Sequence, residues 1–158
     1  MDIIQKISEL EKLSHQNVFP AFHLTSGKET PESVSDLEKK FELVLPDDYK
    51  KMLLLVGVGT LDGEESNITF LSVDDMLHRE LNNGGILNDA FIFGADIGGN
   101  YYFYDVQNNS GKGKFSIFMV YPGNPNWKAS TYLGGELNTV LENMIKGDDF
   151  MEYPKGIL

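Results

Sequence analysis

The chain contains no cysteine, which excludes disulfides, thiol nucleophiles and thiolate metal sites together. A reducing compartment agrees with that, and the cytoplasm is the expected location. Histidine is scarce: His15, His23 and His78 are the only three, and no two stand four residues apart, so the paired spacing of a helical zinc site does not occur. No apolar run approaches the roughly 20 residues of a membrane-spanning helix. The longest, residues 52–59, is far shorter, and no membrane association is expected. Residues 1–13 alternate charged with apolar side chains and lack the uninterrupted apolar stretch of a secretory signal. Basic residues are few as well. Lys and Arg number 13 against 24 Asp and Glu, giving a formal charge of -11 and an isoelectric point near 4.6. Polyanions are repelled by such a surface, and nucleic acid is not an expected ligand.

Signatures of chemistry are missing too. There is no Gly-x-Ser-x-Gly elbow for a serine hydrolase. Gly94-Ala-Asp-Ile-Gly-Gly-Asn100 is glycine-rich, but Asn100 and Tyr101 stand where a phosphate loop needs Lys followed by Ser or Thr. A tight turn between strands, with Asp96 bonding backbone amides, is expected instead. Residues 105–116 space oxygen ligands much as a calcium loop does, yet the glycine arrives one position late and Ser116 replaces the closing glutamate. Lys112 and Lys114 would repel the ion, so a polar hairpin turn is expected there. Paired carboxylates of a glycosidase have no accompanying signature. The expectation is a protein with no enzyme activity, no cofactor and no metal.

What the sequence does contain is scaffold. A chain of 158 residues fits one domain and buries roughly 70% of its unfolded surface without staples. Ile3, Ile7, Leu10 and Leu13 form the apolar stripe of a first surface helix, ending before Pro20. Residues 21–30 have connector composition, and Thr30 followed by Pro31 reads as an N-cap with proline at the first helical position. Val34, Leu37 and Phe41 then recur at helical spacing up to Pro46, which cannot continue that helix but suits the first turn of the next. Residues 67–71 carry strand residues, and Ser72 with Asp75 opens a short helix. Residues 90–93, 101–106 and 115–121 read as strands, the last apolar on both faces and therefore central. Leu137, Val140, Leu141, Met144 and Ile145 mark a final amphipathic helix with Gly147 as its C-cap. The fold class is α+β, with helices packed on a mixed or antiparallel sheet of about five to six strands.

Candidate binding residues follow from charge and aromaticity. Asp62, Glu64 and Glu65 cluster on one loop, and Asp74 and Asp75 begin the short helix. These acids are the material for a negative patch, although helix starts also favour acids for their own sake. In the run Tyr101-Tyr-Phe-Tyr104, alternate rings point to opposite sheet faces, so Tyr101 and Phe103 are expected in the core and Tyr102 and Tyr104 outside, as anchors for a partner. Trp127, the only tryptophan, stands in a loop as either a lid on the core or an interface anchor.

One stretch carries a resemblance. Val34-Ser-Asp-Leu-Glu-Lys-Lys-Phe-Glu-Leu-Val-Leu-Pro-Asp-Asp-Tyr-Lys-Lys-Met-Leu-Leu-Leu-Val-Gly57, with Ile68-Thr-Phe-Leu-Ser-Val-Asp-Asp-Met-Leu77 and Phe93-Gly-Ala-Asp-Ile-Gly-Gly-Asn-Tyr-Tyr-Phe-Tyr-Asp105, resembles the SUKH superfamily of Smi/Knr-like domains. The likeness covers roughly residues 31–147. It departs from the pattern at Gly57-Val-Gly59, where relatives carry Asn-Gly, and in the longer polar turn of residues 108–114. The resemblance implies a SUKH-like core at 31–147, preceded by a helix and connector at 1–30 and followed by a tail at 148–158. The superfamily includes bacterial immunity proteins that neutralise polymorphic toxins and fungal cell-wall regulators. The expected function is therefore immunity: binding a cognate protein toxin, for instance a basic nuclease-type domain, and occluding its active site. The alternative is a regulatory or scaffolding interaction domain.

Overall fold

The computed structural model describes residues 2–13, 20–63, 66–78 and 89–146. Seven strands form one antiparallel sheet in strict chain order: β1 (Ala21–Gly27), β2 (Val58–Asp62), β3 (Asn67–Phe70), β4 (Ala90–Ala95), β5 (Tyr101–Asp105), β6 (Ser116–Val120) and β7 (Thr131–Gly134). With five α-helices around it, the fold is α+β. Strands beyond the expected number are β1 and β7, at the two edges. The connector expected at 21–30 is largely strand β1, because only Ala21 and Phe22 enter the core while residues 23–26 are exposed. A strand anchored at one end shows no alternation for a sequence pattern to reveal.

Helix α1 (Ile3–Lys12) starts at Asp2, whose Oδ1 accepts the Gln5 N–H at 2.9 Å. It buries Ile3, Ile4 and Ile7, whereas Leu13 lies outside the stripe and is exposed. Helix α2 (Pro31–Phe41) begins as its sequence indicates: Thr30 Oγ1 accepts the Ser33 N–H at 3.0 Å and Ser33 Oγ accepts the Thr30 N–H at 3.1 Å, a reciprocal cap. Val34 and Leu37 are its buried face.

The Leu-Pro hinge is clamped from α2. Glu38 Oε2 accepts the Leu45 N–H at 2.8 Å and lies 3.4 Å from Lys50 Nζ, so one carboxylate fixes both sides of Pro46. Helix α3 (Asp47–Lys51) then widens into a π-turn, Met52–Val56, closed by the Gly57 N–H on the Met52 carbonyl at 3.0 Å. Tyr49, Met52, Leu53 and Val56 are buried there and Leu55 is left exposed.

Helix α4 (Val73–His78) is held at both ends by the α2 region. Glu29 Oε1 accepts the Val73 N–H at 3.1 Å at its start, and Lys40 Nζ donates to the Leu77 carbonyl at its end. An acid at the positive end and a base at the negative end both complement the helix dipole. Helix α5 (Leu137–Lys146) buries Leu137, Val140, Leu141 and Met144. The proposed cap Gly147 and the tail at 148–158 lie outside the described residues.

Candidate functional site

The fold separates the acids that the sequence singles out. Asp62 ends β2, half-buried, with Ala21 across one flank and Asn67 across the other. Glu64 and Glu65 lie outside the described residues. Asp74 and Asp75 occupy the first turn of α4, Asp74 exposed and Asp75 half-buried. Strand β3 starts beside Asp62 and ends just before α4, which puts these two groups at opposite ends of a strand roughly 13 Å long. The α4 acids have local roles as well: the Asp75 N–H bonds Ser72 Oγ at 3.0 Å, and Asp74 Oδ1 lies 3.0 Å from His78 Nδ1.

Tyr102 and Tyr104 correct the expectation of an exposed pair, since both are buried. Their face of β5 is the one that α3 covers: Tyr104 meets Tyr49 edge-on at 5.7 Å and stacks on Phe93 at 4.5 Å. The Tyr102 hydroxyl finds its polar partner inside the fold, donating to the Asn67 carbonyl at 3.0 Å. Burial pushes the Tyr49, Tyr102 and Tyr104 phenols far up, with the nearby carboxylates of Glu29, Asp96 and Asp48 respectively adding to the shift. Neither Tyr102 nor Tyr104 can therefore touch a partner. Period two assigns alternate residues to opposite faces but not to inside or outside when helices cover one face and loops the other.

The second face of β5 has its own cover. Trp127, in a short 3₁₀ turn (Trp127–Ala129) between β6 and β7, packs edge-on against Phe103 at 5.3 Å and Phe118 at 5.7 Å. Asn126 Oδ1 fixes that turn by accepting the Ala129 N–H at 2.8 Å. Trp127 is thus a lid on the core, half-buried, with part of its surface still open.

Two exposed apolar residues went unnoticed in the sequence. Ile97, 83% exposed, stands in the turn joining β4 to β5, and Tyr121, 62% exposed, directly follows β6. Ala95 pairs with Tyr101 and Tyr101 with Val120, so both residues emerge at the end of the sheet that also holds Asp62. An isoleucine inside a run of Asp, Gly and Asn was the available signal, because turn composition gives no local reason for an aliphatic side chain.

Chemistry finds little footing among the described residues. No group of three or more His, Asp or Glu could hold a metal ion. The calcium-like loop uses its carboxylate internally: buried Asp105 accepts the Asn109 and Ser110 N–H groups at 2.9 Å and the Ser110 hydroxyl at 2.6 Å. The glycine-rich loop is the expected turn, Asp96 Oδ1 accepting the Asn100 N–H at 2.9 Å. His23 and His78 are exposed, and His15 lies outside the described residues. A cleft of about 260 Å³ between α1 and the π-turn has Ile4, Leu55 and Val56 on its walls and the Asp2–Lys51 ion pair, at 2.8 Å, on its rim. A second, of about 190 Å³, lies between α1 and α5. No helix among the described residues is long and apolar enough to cross a membrane.

A domain of this architecture, built around a hinged helix pair and an antiparallel meander, matches a known family model. The model of the SMI1 / KNR4 family (SUKH-1) aligns with residues 28–144. The chain belongs to that family. In this SUKH-1 protein the matched region holds α2 through most of α5 and strands β2 to β7, and β1 ends one residue before it. Helix α1 and β1 are therefore additions to one edge of the family core. No curated protein matches the chain.

Proposed function

We propose that this SUKH-1 protein is an immunity protein, which binds a cognate protein toxin of its own cell and blocks the toxin's active site. The observation that carries this reading is the family match over residues 28–144, since the superfamily it belongs to includes toxin-neutralising proteins. The acid surplus supports it: a charge of -11 speeds encounter with a basic partner, and enzymes that act on nucleic acid are commonly basic. On this reading the protein acts by shape and charge, and no covalent bond changes on it. Asp62, Glu64 and Glu65 steer the partner in, with Asp74 and Asp75 adding to the field from the far end of β3 and Trp127 lending an aromatic edge. The cytoplasm is where it meets the toxin.

The test is retention of a toxin from the producing cells on the tagged protein, followed by titration of the purified pair. A single tight complex that abolishes toxicity is expected. Several partners of modest affinity, none of them toxic, would instead favour a regulatory scaffold related to the cell-wall regulators of the superfamily.

A further inference from the structure

We propose that Ile97 and Tyr121 are the apolar anchor of the partner interface, and that they take a basic protein surface with an apolar centre. This rests on the immunity reading and specifies the face it uses. The two side chains are among the most exposed large apolar groups of the described surface, at 83% and 62%. They flank one strand: β4 leads into the Ile97 turn, β6 ends before Tyr121, and β5 runs between them. Strands two apart are about 10 Å from each other, a spacing that one partner element bridges.

Both groups are held in place before any partner arrives. The Ile97 N–H donates to Asn67 Oδ1 at 3.0 Å. Asp96 closes the same turn, its carboxylate accepting the Asn100 N–H at 2.9 Å and Asn100 Nδ2 at 3.0 Å. The Tyr121 ring lies along Gly123, where a Cβ would come within 2.5 Å of Tyr121 Cε1, so the glycine makes room for the ring. The Asn124 N–H, donating to the Tyr121 carbonyl at 3.1 Å, sets the following turn. A rigid aromatic and a rigid aliphatic tip lose little freedom on binding, which is what interface anchors require.

Charge selects the occupant. Asp62 ends the neighbouring β2 at this same sheet end, and the chain continues from it to Glu64 and Glu65. Apolar centre and acidic rim together suit a basic protein face, while polyanions such as nucleic acid are repelled.

The experiment measures affinity for the purified, catalytically inactivated toxin domain that the tagged protein retains. Ile97→Ala and Tyr121→Ala are each expected to weaken binding about tenfold or more with unchanged melting temperature. Gly123→Ala, which displaces the Tyr121 ring without removing it, is expected to weaken it severalfold. Val44→Ala, at an exposed position in the α2–α3 hinge, serves as control and leaves affinity unchanged. A complex that forms with wild-type affinity in all three test variants overturns this face and leaves the immunity reading standing. Failure of the wild-type protein to bind any toxin domain removes the immunity reading, and this proposal with it. Sedimentation of the free protein belongs to the same experiment: a dimer that Ile97→Ala dissolves would assign the face to a second copy and overturn the proposal.

Discussion

Three buried tyrosines make a test in which the sign of the effect, not only its size, is fixed by local geometry. The Tyr102 hydroxyl donates to the Asn67 carbonyl at 3.0 Å, the Tyr49 hydroxyl has only the Met76 sulfur at 3.4 Å, and the Tyr104 hydroxyl has no protein partner. A net hydrogen bond contributes about 1 kcal/mol, sulfur accepts weakly, and a buried hydroxyl without a partner costs about 1–3 kcal/mol. Tyr102→Phe is therefore expected to destabilise by about 1 kcal/mol, Tyr49→Phe to change stability by less than about 0.5 kcal/mol, and Tyr104→Phe to stabilise by about 1 kcal/mol. For a domain of this size that last gain raises the melting temperature by about 3 °C. Urea unfolding at pH 7 measures all three. Alkaline titration supplies a second axis. Burial raises these phenols in the folded state, so their contribution is complete below pH 10, the ordinary tyrosine value, and is lost as pH rises above it. Each buried tyrosine then costs about 1.4 kcal/mol per pH unit, and each Phe variant removes its own share of that slope. Destabilisation of Tyr104→Phe by 1 kcal/mol or more would refute the reasoning. An unchanged alkaline slope would do the same.

Further expectations follow from single contacts. Gly59→Ala places a methyl group against the His23 carbonyl of β1, backbone that cannot swing aside, and should cost about 3 kcal/mol in urea unfolding. Glu29→Ala frees the Val73 N–H and the Ser33 hydroxyl at once. It should cost about 1–2 kcal/mol and speed hydrogen exchange in α4 before the rest of the domain. Lys51, then the Gln5 N–H, hold the Asp2 carboxyl below its ordinary value of 3.8. Its contribution is therefore present above pH 3.8 and fades as pH falls through the lower folded value. The melting-temperature difference between wild type and Asp2→Ala should close on that descent, and a difference constant from pH 7 to pH 2 would count against the ion pair.

Local chemistry made some parts of this fold legible from residues alone. Thr30-Pro31 capped α2, Pro46 ended one helix and opened the next, and Asp96 closed its turn, since each of these needs only neighbours in the chain. Strand β1 was not legible because it owes its place to pairing with β2, more than thirty residues away. The faces of β5 were not legible either. Tyr101-Tyr-Phe-Tyr104 is apolar on both sides, and only the arrival of Tyr49 on one and Trp127 on the other gives each ring its surroundings. For the candidate site, charge was readable and proximity was not: the register of β3 decides that Asp62 and Asp74 part company, and the meander decides that Ile97 and Tyr121 meet.

Binding without turnover has a stoichiometric signature. A fixed amount of the purified toxin domain, titrated with this protein and assayed for residual activity, should lose activity linearly and reach zero at one equivalent. Inactivation that runs to completion at a small fraction of an equivalent, leaving a chemically altered toxin behind, would show a catalyst at work and contradict the mechanism.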